Sequence, residues 1–304
     1  MRGRMWTRLA QLPLPWRWLV KWLVFGAVVL FALYPHPRLA LKQLDHFRHI
    51  ESLIQPDLPG IAEINRKLDG QLREQGSRRD EFKTVERFVY NLIPYEYDWY
   101  NWGNLDYWPT TAEVLARKRE DCDGRAVLAA SILRARGFKS ARIVANLNHV
   151  WVAVDDAELM GPQPDKNFRR VGNKTVITLP AWRTWLDCAA HINRFPAARS
   201  LLILAALLVL AYHPCRNLTG LLAATSAALV GFVLLVDWAN RYSTRGTITS
   251  SAQMIVALAV ALVAVSFALA ANRIFNRMKA APVNLPVGQA ANLAASDVAA
   301  RRDA

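Results

Sequence analysis

Cysteine is scarce in this chain. Three occur among 304 residues: Cys122, Cys188 and Cys215. None belongs to a CxxC pair or stands at zinc-ligand spacing, which excludes a structural zinc site and a disulfide framework. No metal and no organic cofactor is implied. One bridge, Cys122 to Cys188, stays open for a domain outside the cytoplasm. Acidic residues are missing from positions 1–34, which hold five basic ones. Charge of either sign is missing from 218–236 and from 247–271. A compact basic domain is missing too. The net charge is +14, yet residues 35–198 carry 24 basic and 21 acidic residues. The excess lies beside apolar runs and in tails, so the chain lacks the electrostatic footprint of a nucleic-acid partner.

What is present first is membrane-length hydrophobicity. Residues 18–34 are apolar except for Lys21, which can snorkel to the interface. A basic tail, 1–17, precedes them. Tyr34-Pro35-His36-Pro37 follows in place of a small-residue cleavage site, so the run reads as an uncleaved anchor. Segments 217–238 and 249–272 reach the roughly 20 residues that a spanning helix needs. Segment 199–214 is shorter and reads as a transmembrane or re-entrant helix. The basic tail should stay in the cytoplasm, which puts residues 35–198 outside. Arg273, Arg277 and Lys279 return to the cytoplasmic side with four spans and not with three. Residues 273–304 show no apolar period and are expected to be a disordered cytoplasmic tail. The expectation is a multi-pass protein of the plasma membrane, of the type found in a bacterial inner membrane. The uncharged runs argue against an ion path. Their small residues, Ala223, Ala224, Ser226, Ala227, Ala228 and Gly231, suit tight helix packing within the chain or with a membrane-protein partner.

The block 35–198 reads as α+β, helices first and then a small antiparallel sheet. Leu44, Phe47, Ile50, Leu53 and Ile54, then Ile61, Ile64 and Leu68, have helical spacing, divided by Pro56 and Pro59-Gly60. Phe82, Val85, Phe88, Val89 and Leu92 give another helix, stopped before Pro94. Residues 95–108 form a loop dense in aromatics, packed by its own rings or open to substrate. Thr110 and Glu113 make a capping box. Asp121 caps the next helix, which ends near Arg136 with Gly137 as its C′ residue. Val127, Leu128, Ala130, Ser131 and Ile132 form its buried face. Residues 141–147 and 149–155 are strands, and 158–163 returns beside them.

Within that block, Cys122 falls at the first turn of a helix. There the unpaired N–H groups and the dipole favour a thiolate. His149 opens a strand and could face it as base, with Trp151 on the same strand face to shield the pair. Such a Cys–His pair is the equipment of thiol acyl transfer. Glu120, Asp121 and Asp123 oppose a thiolate, so capping and a salt bridge to Arg125 are their expected duties. Trp99 or Trp102 could donate to an oxyanion.

The order of several short words carries a resemblance. They are Ile93-Pro94-Tyr95-Glu96-Tyr97-Asp98, Thr111-Ala112-Glu113-Val114-Leu115, Asp121-Cys122-Asp123, Arg134-Ala135-Arg136-Gly137-Phe138, Ala141-Arg142-Ile143-Val144 and His149-Val150-Trp151-Val152. From Val85 to about Asp165, about a quarter of the chain, the sequence resembles the transglutaminase-like superfamily of papain-fold thiol enzymes. The resemblance implies a papain-like α+β domain with its core at about 80–165, Cys122 as nucleophile and His149 as base. It implies amide or peptide substrates of protein origin, with water or an amine as acceptor. The family's third residue is an aspartate on the last strand, before a proline. Here Gly161 precedes Pro162. Asp165 is the favoured substitute, with Gln163 and Asp156 as alternatives. Loss of that acid also leaves a second expectation, a binding or scaffold module that has kept the fold without the activity.

Overall fold

The computed structural model describes residues 2–72, 78–145, 149–155, 157–161, 168–171, 174–177, 191–214 and 218–245, with Ser266 and Ala270 beyond them. Asp156, Gln163, Asp165, Cys188, Cys215 and nearly all of the last apolar run lie outside the described residues.

The described chain is mostly helical with a small antiparallel sheet, hence α+β. A basic helix α1 (Arg2–Gln11) leads into α2 (Leu14–Leu33). Pro37 starts α3 (Pro37–Arg48), and a 3₁₀ turn, Ile50–Leu53, leads to α4 (Pro59–Leu72). The proline breaks thus fall as expected, with one more piece than the spacing implies. Next come α5 (Arg78–Leu92), the single turn α6 (Asp98–Asn101) inside the aromatic loop, α7 (Thr111–Arg117) and α8 (Cys122–Ala135).

The sheet has the order β1-β2-β3, formed by Arg142–Ala145, Val150–Val154 and Ala157–Leu159. Val144 pairs with Trp151, and Val152 with Leu159. The strands are shorter than their apolar runs, and β3 ends four residues before the expected 163. A separate ribbon, β4 (Phe168–Val171) with β5 (Lys174–Ile177), had no counterpart in the sequence reading.

The central element is α8. A single buried stripe was expected, yet Asp123, Gly124 and every residue from Ala126 to Leu133 are buried. A helix covered on all sides is a core helix. It packs against α4, α5, α7 and the sheet. β2 is likewise buried along its whole length, so its period-2 alternation does not leave one face in water. The core around them holds Ile61, Leu68, Val85, Val89, Leu128, Ile132 and Val152. Arg136 ties three helices together by bonding Asp69 of α4 and Glu81 of α5.

Among the described residues, two helices are long and apolar enough to cross a membrane, Leu14–Leu33 and Leu218–Arg241. The second belongs to α10 (Leu218–Arg245), and the shorter α9 (Ala197–Tyr212) lies before it. Ala224 and Ala228 of α10 are buried against Ala211, Tyr212 and Leu208 of α9, so small residues do serve helix packing within the chain. Leu222, Val230 and Val233 stay exposed on the other side. Lys21 does not reach outward. It is buried, donates to the carbonyl of His213 just past α9, and lies 4.4 Å from the Trp18 ring centroid.

The domain is latched to these helices through the aromatic loop. Leu105 N–H donates to Leu33 O, His36 N–H to Asn104 Oδ1, and Asn104 Nδ2 to His36 O. Arg199 of α9 donates to Gly103 O at 2.6 Å. Gly103 has a φ of 83°, and a Cβ there would come within 2.6 Å of the His36 ring. Only glycine suits this contact.

Candidate functional site

Both helix starts behave as read. The Thr110 side chain accepts from Glu113 N–H, and the Glu113 carboxylate accepts from Thr110 N–H at 2.9 Å. Asp121 is the N-cap of α8, its Oδ1 accepting from Asp123 N–H at 3.2 Å. That leaves Cys122 as the first helical residue. Its thiol is free. Cys188, with which a bridge was left open, lies outside the described residues.

β2 brings the histidine side of the site to this helix end. The N–H of Val150, the neighbour of His149, donates to the Cys122 sulfur. His149 and Trp151 lie with ring centroids 6.1 Å apart and planes 13° from parallel. Trp151 is buried and covers one face of the imidazole. The other end of the ring is fixed by backbone: His149 Nε2 lies 2.6 Å from Met160 O. A carbonyl oxygen only accepts, so Nε2 carries a hydrogen in this contact. Met160 in turn has a φ of 58° and gives its N–H to Glu86 Oε1 at 3.0 Å. Of the three acids or amides considered for this role, none is among the described residues. Among the described residues, the partner of Nε2 is the Met160 carbonyl.

The electrostatics around Cys122 depart from expectation. Burial pushes the thiol up to about 12, with the charge of Asp121 next and those of Asp98 and Asp106 behind it; the Val150 N–H opposes them. The helix N-terminus fails to offset this for a local reason. Its first donors are already satisfied by acids, Asp123 N–H by Asp121 and Gly124 N–H by the Asp123 carboxyl. Asp121 and Asp123 also share a side-chain hydrogen bond. Two carboxyls in that relation hold a proton between them. Asp123 is held well above its usual range, by burial first and then by Asp121 and Asp98.

Asp98 and Glu120 complete the group; Glu120 was expected beside the thiol as an opposing acid, whereas nothing in the sequence spacing pointed to Asp98. Glu120 is fully buried and its carboxyl is pushed up to about 8 by burial, then by the Asp121 charge. Its Oε1 accepts from Asn101 Nδ2 and Trp102 Nε1, both at 2.9 Å, and its Oε2 has no hydrogen-bond partner. Asp98 takes Tyr107 N–H on Oδ2, and its Oδ1 is likewise unpartnered. A Cβ at position 124 would lie 2.5 Å from Glu120 Cγ, so Gly124 is what admits Glu120 to the core. One ligand oxygen from each of Asp98, Glu120, Asp121 and Asp123 lies within 4.8 Å of the others. Four hard oxygens of this kind could hold Ca²⁺ or Mg²⁺; bound protons relieve the same repulsion.

The tryptophans are not oxyanion donors. Trp99 and Trp102 are buried, Trp99 Nε1 donates to Arg194 O and Trp102 Nε1 to Glu120. The loop packs on itself, Tyr97 stacked on Trp99 at 4.4 Å and Trp102 against Tyr107 at 4.6 Å. The expected Arg125 salt bridge gives way to another arrangement. Its Nε and Nη2 both donate to Ile93 O, and its guanidinium lies 5.1 Å from the ring centroids of both Tyr90 and Tyr95.

Against known proteins, no family profile, curated sequence or solved structure matches this chain.

Proposed function

We propose that this chain is a membrane-anchored thiol enzyme of transglutaminase-like fold that opens amide bonds of peptide or protein substrates outside the cytoplasm. The observation carrying the reading is the convergence at the start of α8. The Cys122 sulfur accepts the N–H of the residue beside His149, and His149 has its Nε2–H committed elsewhere. Four spans, with the last at 249–272, and a cytoplasmic N-terminus complete the proposed topology. The resemblance of residues 85–165 and the two membrane-length helices support it.

The chemistry follows from the thiol's state. At neutral pH a group held near 12 is protonated, so no standing thiolate waits for substrate. His149 Nδ1 therefore acts as general base during attack. As the sulfur bonds to the carbonyl carbon, its proton passes to Nδ1. The C–N bond then breaks, the amine leaves with that proton, and a thioester remains on Cys122. Water or a second amine attacks the thioester, His149 takes its proton, and the sulfur leaves with it as thiol. The described partner of Nε2 is a neutral carbonyl, which makes this a slower site than one with a carboxylate in that place.

The test uses p-nitrophenyl acetate on the full chain in detergent. A burst of nitrophenolate, with acetyl found on the Cys122 peptide, is expected. Cys122→Ala should abolish it and His149→Ala should slow it by a factor on the order of a hundred or more. Equal acetylation of wild type and His149→Ala would remove the enzyme reading.

The raised thiol favours one second reading, a binding module that keeps the fold without turnover. It predicts that Cys122→Ala and His149→Ala leave the cellular phenotype unchanged.

A further inference from the structure

Helix α3 is built inside out. Its buried side chains are the polar Gln43 and His46, while Leu41, Leu44 and Phe47 stand 68%, 55% and 45% exposed. Helical spacing groups Leu44 and Phe47 with Leu53, yet of the three only Leu53 is buried. A surface helix of a water-soluble domain has the reverse pattern. The polar side is spent on the aromatic loop. Gln43 Nε2 donates to Asp106 Oδ2 at 2.9 Å, Gln43 Oε1 accepts Trp108 N–H at 2.7 Å, and His46 Nδ1 lies 2.6 Å from Trp108 O. At 3.6 residues per turn, the centre of the apolar trio lies about 130° round the helix from the centre of the polar pair. The domain holds one side of α3, and the trio faces away from it.

What the trio meets is set by where α3 starts. The 20 residues of α2 rise about 30 Å, the thickness of a bilayer's hydrocarbon. Leu33 then stands at the hydrocarbon edge. Pro37 follows after the three residues Tyr34 to His36, a reach of at most about 14 Å. So α3 starts in or beside the headgroup layer, which is about 5–8 Å deep on each side. Arg38 precedes Leu41 by three residues and Arg48 follows Leu44 by four, so both exposed arginines border the trio. Three partly exposed side chains fall short of the roughly 800 Å² that each side of a stable protein interface buries. We propose that α3 is an interfacial helix: Leu41, Leu44 and Phe47 sink into the headgroup–acyl boundary of the bilayer that α2 crosses, with Arg38 and Arg48 at its phosphates. The proposal rests on the membrane reading of α2 and not on the thiol chemistry. The helix is then the floor of the domain. Lipid lies beneath it, and Gln43 and His46 hold the aromatic loop above it.

Nitroxide labels read the depth. Each label sits on one introduced cysteine of the full chain, in a background of Cys122→Ala, Cys188→Ala and Cys215→Ala, in vesicles of phosphatidylcholine and phosphatidylglycerol. The readout is the ratio of collisions with oxygen, which gathers in lipid, to collisions with a water-soluble nickel chelate. Two references bracket it. Leu23→Cys replaces an exposed residue of α2, and Lys67→Cys lies on a charged face of α4, where Lys67 pairs with Glu63. Leu44→Cys should give a ratio several times that of Lys67→Cys and below that of Leu23→Cys. Leu41→Cys should repeat the result, so the loss of one variant to misfolding leaves the other to decide. Labels at 41 and 44 that are water-like beside a lipid-like label at 23 overturn the proposal and leave the membrane anchor standing. Few collisions with either reagent at 41 and 44 mean that protein covers the trio, a second copy or a further part of this chain, and that also overturns it. A water-like label at 23 removes the anchor reading, and the proposal falls with it.

Discussion

The middle and the N-terminus of α8 bury polar groups in opposite ways. In the middle of the helix, Ser131 accepts Gln55 N–H at 3.0 Å, shares a 2.6 Å bond with the Thr111 hydroxyl and donates to Val127 O. The Thr111 hydroxyl has one hydrogen to give, either to Ser131 Oγ or to Leu53 O, 2.8 Å away. The knot is neutral and its bonds close on one another. At the N-terminus, four carboxyls crowd around a thiol, and Asp98 Oδ1 and Glu120 Oε2 have no hydrogen bond. The first knot joins α4's approach, α7 and α8, and it stabilises the fold. The second costs free energy, since buried acids must be protonated or otherwise neutralised. So costly a cluster beside the half-buried Cys122 supports the proposal that chemistry is done at that helix end.

The largest expected break in this contrast comes from pH. Glu120 binds its proton up to about pH 8 in the folded chain and only up to its ordinary value of 4.5 when unfolded. The folded state then holds the extra proton between those values. Its stabilising contribution is complete below 4.5 and is lost as pH rises through 8, on the order of 5 kcal/mol across the window. Asp106, raised to about 6 by burial and then by Asp121, adds in the same direction. Urea denaturation of the domain at a series of pH values checks this. Wild type should lose stability on alkalinisation, and Glu120→Gln should flatten the curve.

Next in size is Ser131→Ala. It strands Gln55 N–H and takes a partner from Thr111, at a cost of about 1–3 kcal/mol, read as a lower urea midpoint. The loss should not vary between pH 5 and pH 9, because no member of that knot titrates there. A pH-dependent loss would mean that the two clusters are coupled through the helix. The smallest effect on stability is Asp98→Asn, within about 1 kcal/mol, because it removes a charge without removing bulk. Its consequence lies at Cys122. With one of the raising charges gone, the thiol should titrate below 12, seen as faster iodoacetamide labelling at pH 9. Unchanged labelling would mean that burial alone sets the thiol.

What could be read from the sequence was local. Thr110 with Glu113, Asp121 before Cys122, and Gly137 with its φ of 92° are helix boundaries written within a few residues, and each stands where it was expected. The apolar lengths gave the two long helices in the same way, with α10 running on to Arg245 beyond the expected 238. The site was legible only in part. Cys122 and His149 were singled out because their residue types announce themselves. Their surroundings were hidden because they are assembled by tertiary contact. Asp98 lies 22 residues from Glu120 with an aromatic loop between them, and Glu86 belongs to another helix. A backbone carbonyl such as Met160's leaves no trace in the sequence at all. The tryptophans misled for the opposite reason: their N–H groups are conspicuous in a list of residues but spent in the fold.

The latch between the aromatic loop and the membrane helices limits where such a site can work. An enzyme on a flexible linker sweeps a volume set by the linker's length. Here three residues, Tyr34 to His36, separate α2 from α3, and the loop that frames Glu120 is bonded to both Leu33 and Arg199. On the proposed topology the thiol keeps a fixed altitude above the bilayer. Its search is then two-dimensional, and it meets only those chains that are themselves confined to the membrane surface or brought down to it.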